Sequence, residues 1–433
     1  FITSNKWMRA NYGKSLRKFL AEKTNPQILI DLGSNIFEGA TVDSNILIFS
    51  KKACKEFSLQ ACDYSKAQKK EEFITYFNKN KSTLKDLSIS SWIISGQIEQ
   101  NIKTKVEKIG ITLKEWDINI NYGIKTGFNE AFIIDGKKKG ELITKDPKSA
   151  EIIKPVLRGR DTRKNDVQFE DLWLINVHNG YKKNDKQIER IDVEDYPVIK
   201  EHLDKYFDKL NQRSDKGVSP YNLRNCAYIE AFSKEKIIYP ETTVRRSEFF
   251  LDKENYFVDK TCFFITGKNL AYISAVLSSS TMQYYLEREL RLVGKITIQY
   301  SKQYMELVPI PKISKEEQTP FIEKTDLMLK LNKELREKTT EFLNFIKQKY
   351  NLEKLSKKLQ KFHELEFPEF KKQLKLKNIP MEKEMDLMNL FNKKREETSL
   401  LKTEIDKQDS IIDEMVFDLY GLDDEERRIV LEG

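Results

Sequence analysis

A chain of 433 residues with 39% hydrophobic and 33% charged residues has room for roughly three domains of about 150 residues each and is too apolar for a disordered chain. Its longest apolar runs, such as Ala271 to Leu277, fall far short of the roughly 18 residues of a membrane span, which argues against membrane insertion. The net charge of +8 suits a nucleic-acid partner without requiring one. Four cysteines at irregular spacing and three histidines argue against a zinc ribbon, a disulfide framework or a histidine-rich metal site, and fit a reducing cytoplasm.

The fold class predicted is α+β. Residues 1–52 alternate strand and helix: a strand end at Phe1 to Trp7, a basic helix at Tyr12 to Glu22, and strands at Gln27 to Asp31 and Val42 to Phe49. That alternation points to an α/β sheet, in a segment too short to be a domain alone. Because Phe1 is not an initiator Met and opens no signal or transit pattern, the chain is expected to be cut from a longer polypeptide. Residues 53–118 are expected to be a charged helical connector, with helices in Lys66 to Asn78 and Ser95 to Ile109, and Leu87 to Ile94 as a short strand or buried turn.

Residues 119–313 carry turn signals between short apolar runs, the pattern of a mixed, mainly antiparallel domain. The run Asn121-Tyr122-Gly123-Ile124-Lys125-Thr126-Gly127-Phe128-Asn129 places donors on a glycine-bearing turn, which suits a phosphate or a base edge. A strand is expected at Ala131 to Ile134, closed by Asp135-Gly136 as a turn. Asp146-Pro147 reads as a helix start that Pro155 ends, delivering Arg158, Arg160 and Arg163 around Gly159. Further strands are expected at Leu172 to Asn176, Lys236 to Tyr239, Asn255 to Val258 and Thr261 to Thr266, and helices at Leu270 to Leu277 and Met282 to Leu290. Gly294 to Lys302 then puts Lys295 and Gln299 beside an alternating strand, where polar groups could read bases. Arg245 adds a basic group.

Residues 314–433 are predicted to be helical. Ser314 and Glu317 have capping-box spacing, and neither Phe321 to Phe367 nor Met381 to Tyr420 contains Gly or Pro. Apolar residues at three-four spacing in both predict an antiparallel coiled coil. The first seam runs through Met328, Leu331, Leu335, Phe342, Phe345 and Leu352, and the second through Leu387, Phe391, Leu401, Ile405, Ile412, Met415 and Leu419. The break lies at Pro368 to Pro380, and Gly421 fits a C-cap.

Several of these stretches resemble a known group. Phe1-Ile2-Thr3-Ser4-Asn5-Lys6-Trp7 and the run Ile36 to Ile48, the glycine turn with Arg158-Gly159-Arg160-Asp161, and the exit Leu307-Val308-Pro309-Ile310-Pro311 followed by Glu317-Gln318 resemble the C-terminal part of a type IIG restriction-modification enzyme, a TaqI-like adenine-N6 DNA methyltransferase with a target-recognition domain. The exit and tail are also similar to type I restriction specificity subunits. The resemblance implies a methyltransferase remnant, a DNA target-recognition domain and a helical spacer. It also implies double-stranded DNA as partner and S-adenosylmethionine as cofactor of the intact protein.

In that group an aromatic at the position of Phe37 stacks on the flipped adenine. The Asn-Pro-Pro-Tyr motif and the glycine-bearing S-adenosylmethionine motif do not occur in these residues, so the chain alone is expected to transfer no methyl group. Candidate DNA contacts, from residue type and context, are Lys125, Thr126, Asn129, Arg158, Arg160, Arg245, Lys295 and Gln299. No convincing nuclease site is found. The alternative reading is a non-catalytic specificity subunit that partners separate methyltransferase or nuclease chains. A coiled-coil scaffold is a third, which leaves the middle segment unexplained.

Overall fold

The structure is a computed structural model, and it describes residues 1–433 other than 9, 34–35, 37–41, 53–57, 68–71, 85–86, 88–91, 93–96, 184–185, 245–247, 294–296, 353, 377–379 and 433. Two compact units are present: residues 1–108 with 421–433, and residues 109–420.

In the first unit the strands β1 (Ile2–Ser4), β2 (Asn25–Gly33), β3 (Ser44–Ser50), β4 (Leu59–Asp63) and β5 (Ser82–Leu84) form one sheet in the order β1-β3-β2-β4-β5. Only β2 and β4 run parallel; the other pairs are antiparallel. The helix Lys14–Lys23 and a core of Trp7, Leu20, Leu29, Leu47, Leu59 and Trp92 cover it. Thus β4 and β5 arise inside the stretch expected to be a helical connector. Leu59, Ala61 and Cys62 are fully buried, and that burial outweighs the surrounding charge as a structural signal. The helix Gln97–Ile109 forms close to expectation. Its Lys105 Nζ donates to the almost fully buried Glu426 at 2.5 Å and to Gly421 O at 2.7 Å, fastening the last helix, Asp424–Glu432, to this unit.

In the second unit two four-stranded sheets share a core. One is antiparallel, in the order Phe250–Asp252, Lys236–Pro240, Cys262–Gly267, Ile118–Tyr122. The other has the order Phe257–Val258, Ile153–Leu157, Leu172–Ile175, Ile133–Asp135, with its first pair parallel. Phe232 joins them, its ring 4.9 Å from Phe257 in one sheet and 4.6 Å from Phe264 in the other. The helices Leu270–Ser278 and Ser280–Glu289 lie where the sequence places them.

Three local expectations are corrected. Asp135-Gly136 is no turn: Asp135 is an N-cap, accepting from Lys138 N at 2.7 Å, and Gly136 opens a helix to Lys145. The strand before it is Ile133–Asp135, since Asn129–Phe132 is helical. Asp146 does cap the next turn through Lys148 N, but that 3-10 helix ends at Glu151, and Pro155 lies within the strand Ile153–Leu157. Burial of Ile153, Val156 and Leu157 decides the strand, and its parallel neighbour meets it only at Val156 and Leu157.

The helical region opens as predicted. Ser314 and Glu317 form the reciprocal capping box, and the first long helix, Lys315–Lys349, follows. It ends there, with Asn351 left-handed, and Lys357–Glu364 and Phe367–Leu374 fold back as short helices. The reason is an aromatic cluster in which Phe370 packs 5.7 Å from Phe342 and 4.5 Å from Phe391, with Phe362 4.7 Å from Phe342. A straight helix would leave these rings in water at a cost of roughly 1.5–3 kcal/mol each. The second long helix spans Met381–Tyr420. It runs antiparallel to the first, since Lys324 bonds Gln408 while Lys338 faces Glu397. Of the expected first seam, Met328 and Phe342 are buried and Leu331, Leu335 and Leu352 half-buried, while Phe345 is exposed and Leu343 and Ile346 are buried beside Phe342. In the second helix Leu401, Met415 and Leu419 are half-buried, and Val416, Phe417 and Tyr420 are buried.

Candidate nucleic-acid interface

The chain passes from one sheet of the second unit to the other between Val258 and Cys262, and three segments converge on that corner. Ile124 N donates to Val258 O at 2.8 Å, and Asp259 N to Leu157 O at 2.9 Å. Gly123 is required by this crossing, since a Cβ there would lie 1.9 Å from Asp259 O. Gly159 is squeezed in the same way, 2.8 Å from Thr261 O. Gly127 serves differently, with φ +70 on the following turn.

A cleft of about 430 Å³ opens at the corner, lined by Arg158, Arg160, Thr242, Thr243, Glu248 and Thr261 among others. Its floor is a polar network. Arg158 holds Asp161 in a fork, Nε to Oδ2 at 2.8 Å and Nη2 to Oδ1 at 2.9 Å. Thr261 Oγ1 accepts from Gly159 N at 2.8 Å and donates to Asp259 Oδ1 at 2.5 Å. Burial raises the Asp259 carboxyl above its usual range, against the pull of the two Thr261 hydrogen bonds. The Asp161 hydrogen bonds raise the Arg158 guanidinium, so its charge is secure and already spoken for.

Of the clustered cations, Arg163 donates to the carbonyls of Arg160 and Thr162, and Lys164 pairs with Asp409 at 2.7 Å. Arg160 is exposed, and among the described residues no partner holds its guanidinium. Gln299, half-buried, sits in a strand opposite Thr242 on the cleft wall. The structure therefore brings Arg158, Arg160 and Gln299 to one corner.

Lys125, Thr126 and Asn129 occupy the adjoining turn. Lys125 is exposed, with Nζ 5.4 Å from the Tyr122 ring. Thr126 is buried and donates to Asn129 Oδ1 at 2.5 Å, so these two support the turn as well as decorate it. Phe37, Arg245 and Lys295 lie outside the described residues.

The sequence reading missed Arg213. It is buried, donates to Thr126 O, to Pro220 O at 3.0 Å and to Asn222 O at 2.6 Å, and stands 4.6 Å from the Phe132 ring. Desolvation pulls its guanidinium down to about 10. Nothing in its neighbourhood, Asn211-Gln212-Arg213-Ser214, marks it. Asp161 was readable, as an acid three residues after Arg158. Among the described residues no group of three or more His, Cys, Asp or Glu could hold a metal ion, and no helix is long and apolar enough to cross a membrane.

The residues that line this strand-built corner fall within a stretch that matches a specificity domain of restriction-modification enzymes. Residues 154–310 match the TaqI-like C-terminal specificity domain, and residues 1–37 match the Eco57I restriction-modification methylase. Residues 314–416 match a domain of unknown function, DUF8810. The chain is similar to the type II methyltransferase M.BstVI of Geobacillus stearothermophilus, 19% identical over 335 residues that cover 72% of this chain and 57% of that protein. It is also similar in fold to the type IIL restriction-modification enzyme MmeI, solved in complex with DNA, with a TM-score of 0.50 and 14% identity over 100% of this chain and 50% of that one. The chain thus spans about half the length of these relatives. The resemblance carried by its sequence motifs, to the C-terminal part of such an enzyme, holds.

Proposed function

We propose that this chain is the specificity half of a type IIG adenine-N6 DNA methyltransferase and restriction enzyme. In this reading residues 119–313 hold duplex DNA and read a defined sequence in the cytoplasm, the strands of residues 1–84, beyond the expected boundary at 52, close the methyltransferase sheet, the helix Gln97–Ile109 leads on from it, and 314–420 form the spacer. The observation that carries it is the match of residues 154–310 to a specificity domain, the stretch that supplies most of the cleft lining and Arg160 on its rim. Arg160 and Lys125 are exposed cations suited to phosphates. Asn129 and Gln299 are suited to base edges, and Thr126 sets the turn that carries Asn129. Arg158 sets the loop that presents Arg160. Arg245 and Lys295 are proposed as further contacts, and Phe37 as the platform for the flipped adenine.

The intact enzyme would use S-adenosylmethionine, but the residues here do not fit a site for it. The motifs that carry it are absent from the sequence, and the buried carboxylate of the first unit's sheet, Asp31, is taken up by Asn5 Nδ2 and Gly33 N. The chain alone therefore binds duplex DNA and transfers no methyl group. Incubation of the purified chain with S-adenosylmethionine and duplex DNA tests this, and adenine methylation would contradict it. A second reading, a specificity subunit serving separate methyltransferase or nuclease chains, is favoured by the antiparallel helical hairpin, which offers such chains a long surface.

A further inference from the structure

The charge of this chain is concentrated away from the cleft. Between Lys354 and Lys377 the sequence holds eight lysines against three glutamates, a net +5 in a chain of net +8. The described residues of this stretch, as far as Leu376, form the tip of the helical hairpin. Arg336 of the first long helix is bonded to Asp166 and Val167 of the strand-built part. Beyond it the helix runs on to Lys349, about 20 Å at 1.5 Å per residue. The short helices Lys357–Glu364 and Phe367–Leu374 pack on the two long helices and on each other around the aromatic cluster.

The lysines sit on the outside of that cluster. Lys354, Lys357, Lys358, Lys372 and Lys375 are exposed, and among the described residues none has a carboxylate partner. Ser356 Oγ donates to Gln373 Oε1 at 2.7 Å, which ties the start of one short helix to the end of the other and gathers the lysines of both. A concavity of about 470 Å³ lies along the second short helix, lined by Pro368, Lys371, Lys372, Lys375 and Leu376, where Lys371 is paired with Glu384 at 2.7 Å. Local stability explains only part of this pattern. Lysines at the end of Phe367–Leu374 complement that helix dipole, but Lys357 and Lys358 open their helix, where the dipole favours acids and opposes cations.

We infer that this lysine-rich tip is a second, sequence-independent contact to duplex DNA, gripping the phosphate backbone on sequence flanking the part that is read. The inference rests on the DNA-recognition reading for its partner. Five exposed lysines without carboxylate partners among the described residues, on a protein that holds a duplex nearby, meet phosphates at one per strand every 3.4 Å, about six base pairs along the reach of the arm.

The test is equilibrium binding of this chain, native and with Lys354, Lys357, Lys358, Lys372 and Lys375 all changed to Gln, to two duplexes carrying its selected sequence. One duplex ends at the selected sequence and the other extends about 15 base pairs beyond it on both sides, well past the arm's reach. All five positions are exposed, and an unchanged thermal midpoint verifies the variant's fold. On the long duplex the variant should bind at least about tenfold more weakly, with a salt slope lower by about 0.9 for each phosphate that the tip no longer neutralises. On the short duplex it should match the native chain. Equal affinity and slope on the long duplex, or an equal loss on both duplexes, would overturn the inference. If the native chain selects no sequence yet binds duplex, and the substitutions still lower its slope on long random duplex, the tip contact stands and the recognition reading falls. No duplex binding by the native chain removes both.

Discussion

The cleft at the sheet corner and the tip of the helical hairpin hold positive charge in opposite ways. At the corner Arg158 is locked to Asp161, Arg163 to backbone carbonyls and Lys164 to Asp409, and of these clustered cations among the described residues Arg160 stands clear. At the tip five lysines stand clear together. Fixed, hydrogen-bonded cations define a shape and a register, which selecting among bases requires. Free cations on flexible stems supply charge with little geometry, which a backbone contact requires. Under the proposed roles, the contrast would separate reading from gripping within one chain.

The largest expected effect breaks the rigid side of the comparison. Lys236 and Asp252 are both fully buried, 2.5 Å apart, with Lys236 Nζ also donating to Phe232 O at 2.7 Å. Burial lowers the Lys236 ammonium and raises the Asp252 carboxyl from their usual values, against their mutual attraction. Asp252→Ala should cost about 3–5 kcal/mol in denaturant unfolding, because a buried charge is left alone. A loss below about 1 kcal/mol would mean that the corner sheets are not held by this pair.

A smaller effect sharpens the comparison within the cleft. Arg158→Ala should cost about 1–3 kcal/mol of stability by leaving buried Asp161 unpaired, and should blur sequence preference with little change in salt slope. Arg160→Ala should leave stability within about 0.5 kcal/mol and lower the salt slope by about 0.9. Interchanged outcomes would reverse the assigned roles.

The least effect comes from protons. Burial holds His178, His202 and His363 all below their ordinary value of 6.5. The fold keeps them neutral while the unfolded chain takes up protons, so stability is full above that value and falls as pH drops through it. The thermal midpoint should fall by a few degrees between about pH 7 and pH 5, and replacing all three by Gln should flatten that fall. An equally steep profile in the variant would place the sensitivity in the carboxylates.

Legibility in the sequence followed the reach of the interactions. Caps and helices set by near neighbours were readable: Asp146, Ser314 with Glu317, and the second long helix from Met381 to Tyr420. The strands Leu59–Asp63 and Ser82–Leu84 were not, because their pairing is with distant residues and their length is short. The first long helix was expected to continue past Lys349, since spacing alone cannot show that Phe342, Phe362, Phe370 and Phe391 prefer one another's company. At the site, residue type pointed to Arg158 and Arg160 alike. Only the geometry separates the arginine already engaged by Asp161 from the one left exposed, and only the geometry finds Arg213 beneath the turn.

Affinity selection of a randomised duplex pool by this chain at moderate salt, followed by sequencing of the bound DNA, tests the central claim most directly. The expected result is enrichment of one motif that contains an adenine, with the preference blurred by Arg158→Ala and left intact by the lysine substitutions at the tip. Salt-sensitive binding with no enriched motif would contradict the claim, leaving a chain that grips DNA without reading it.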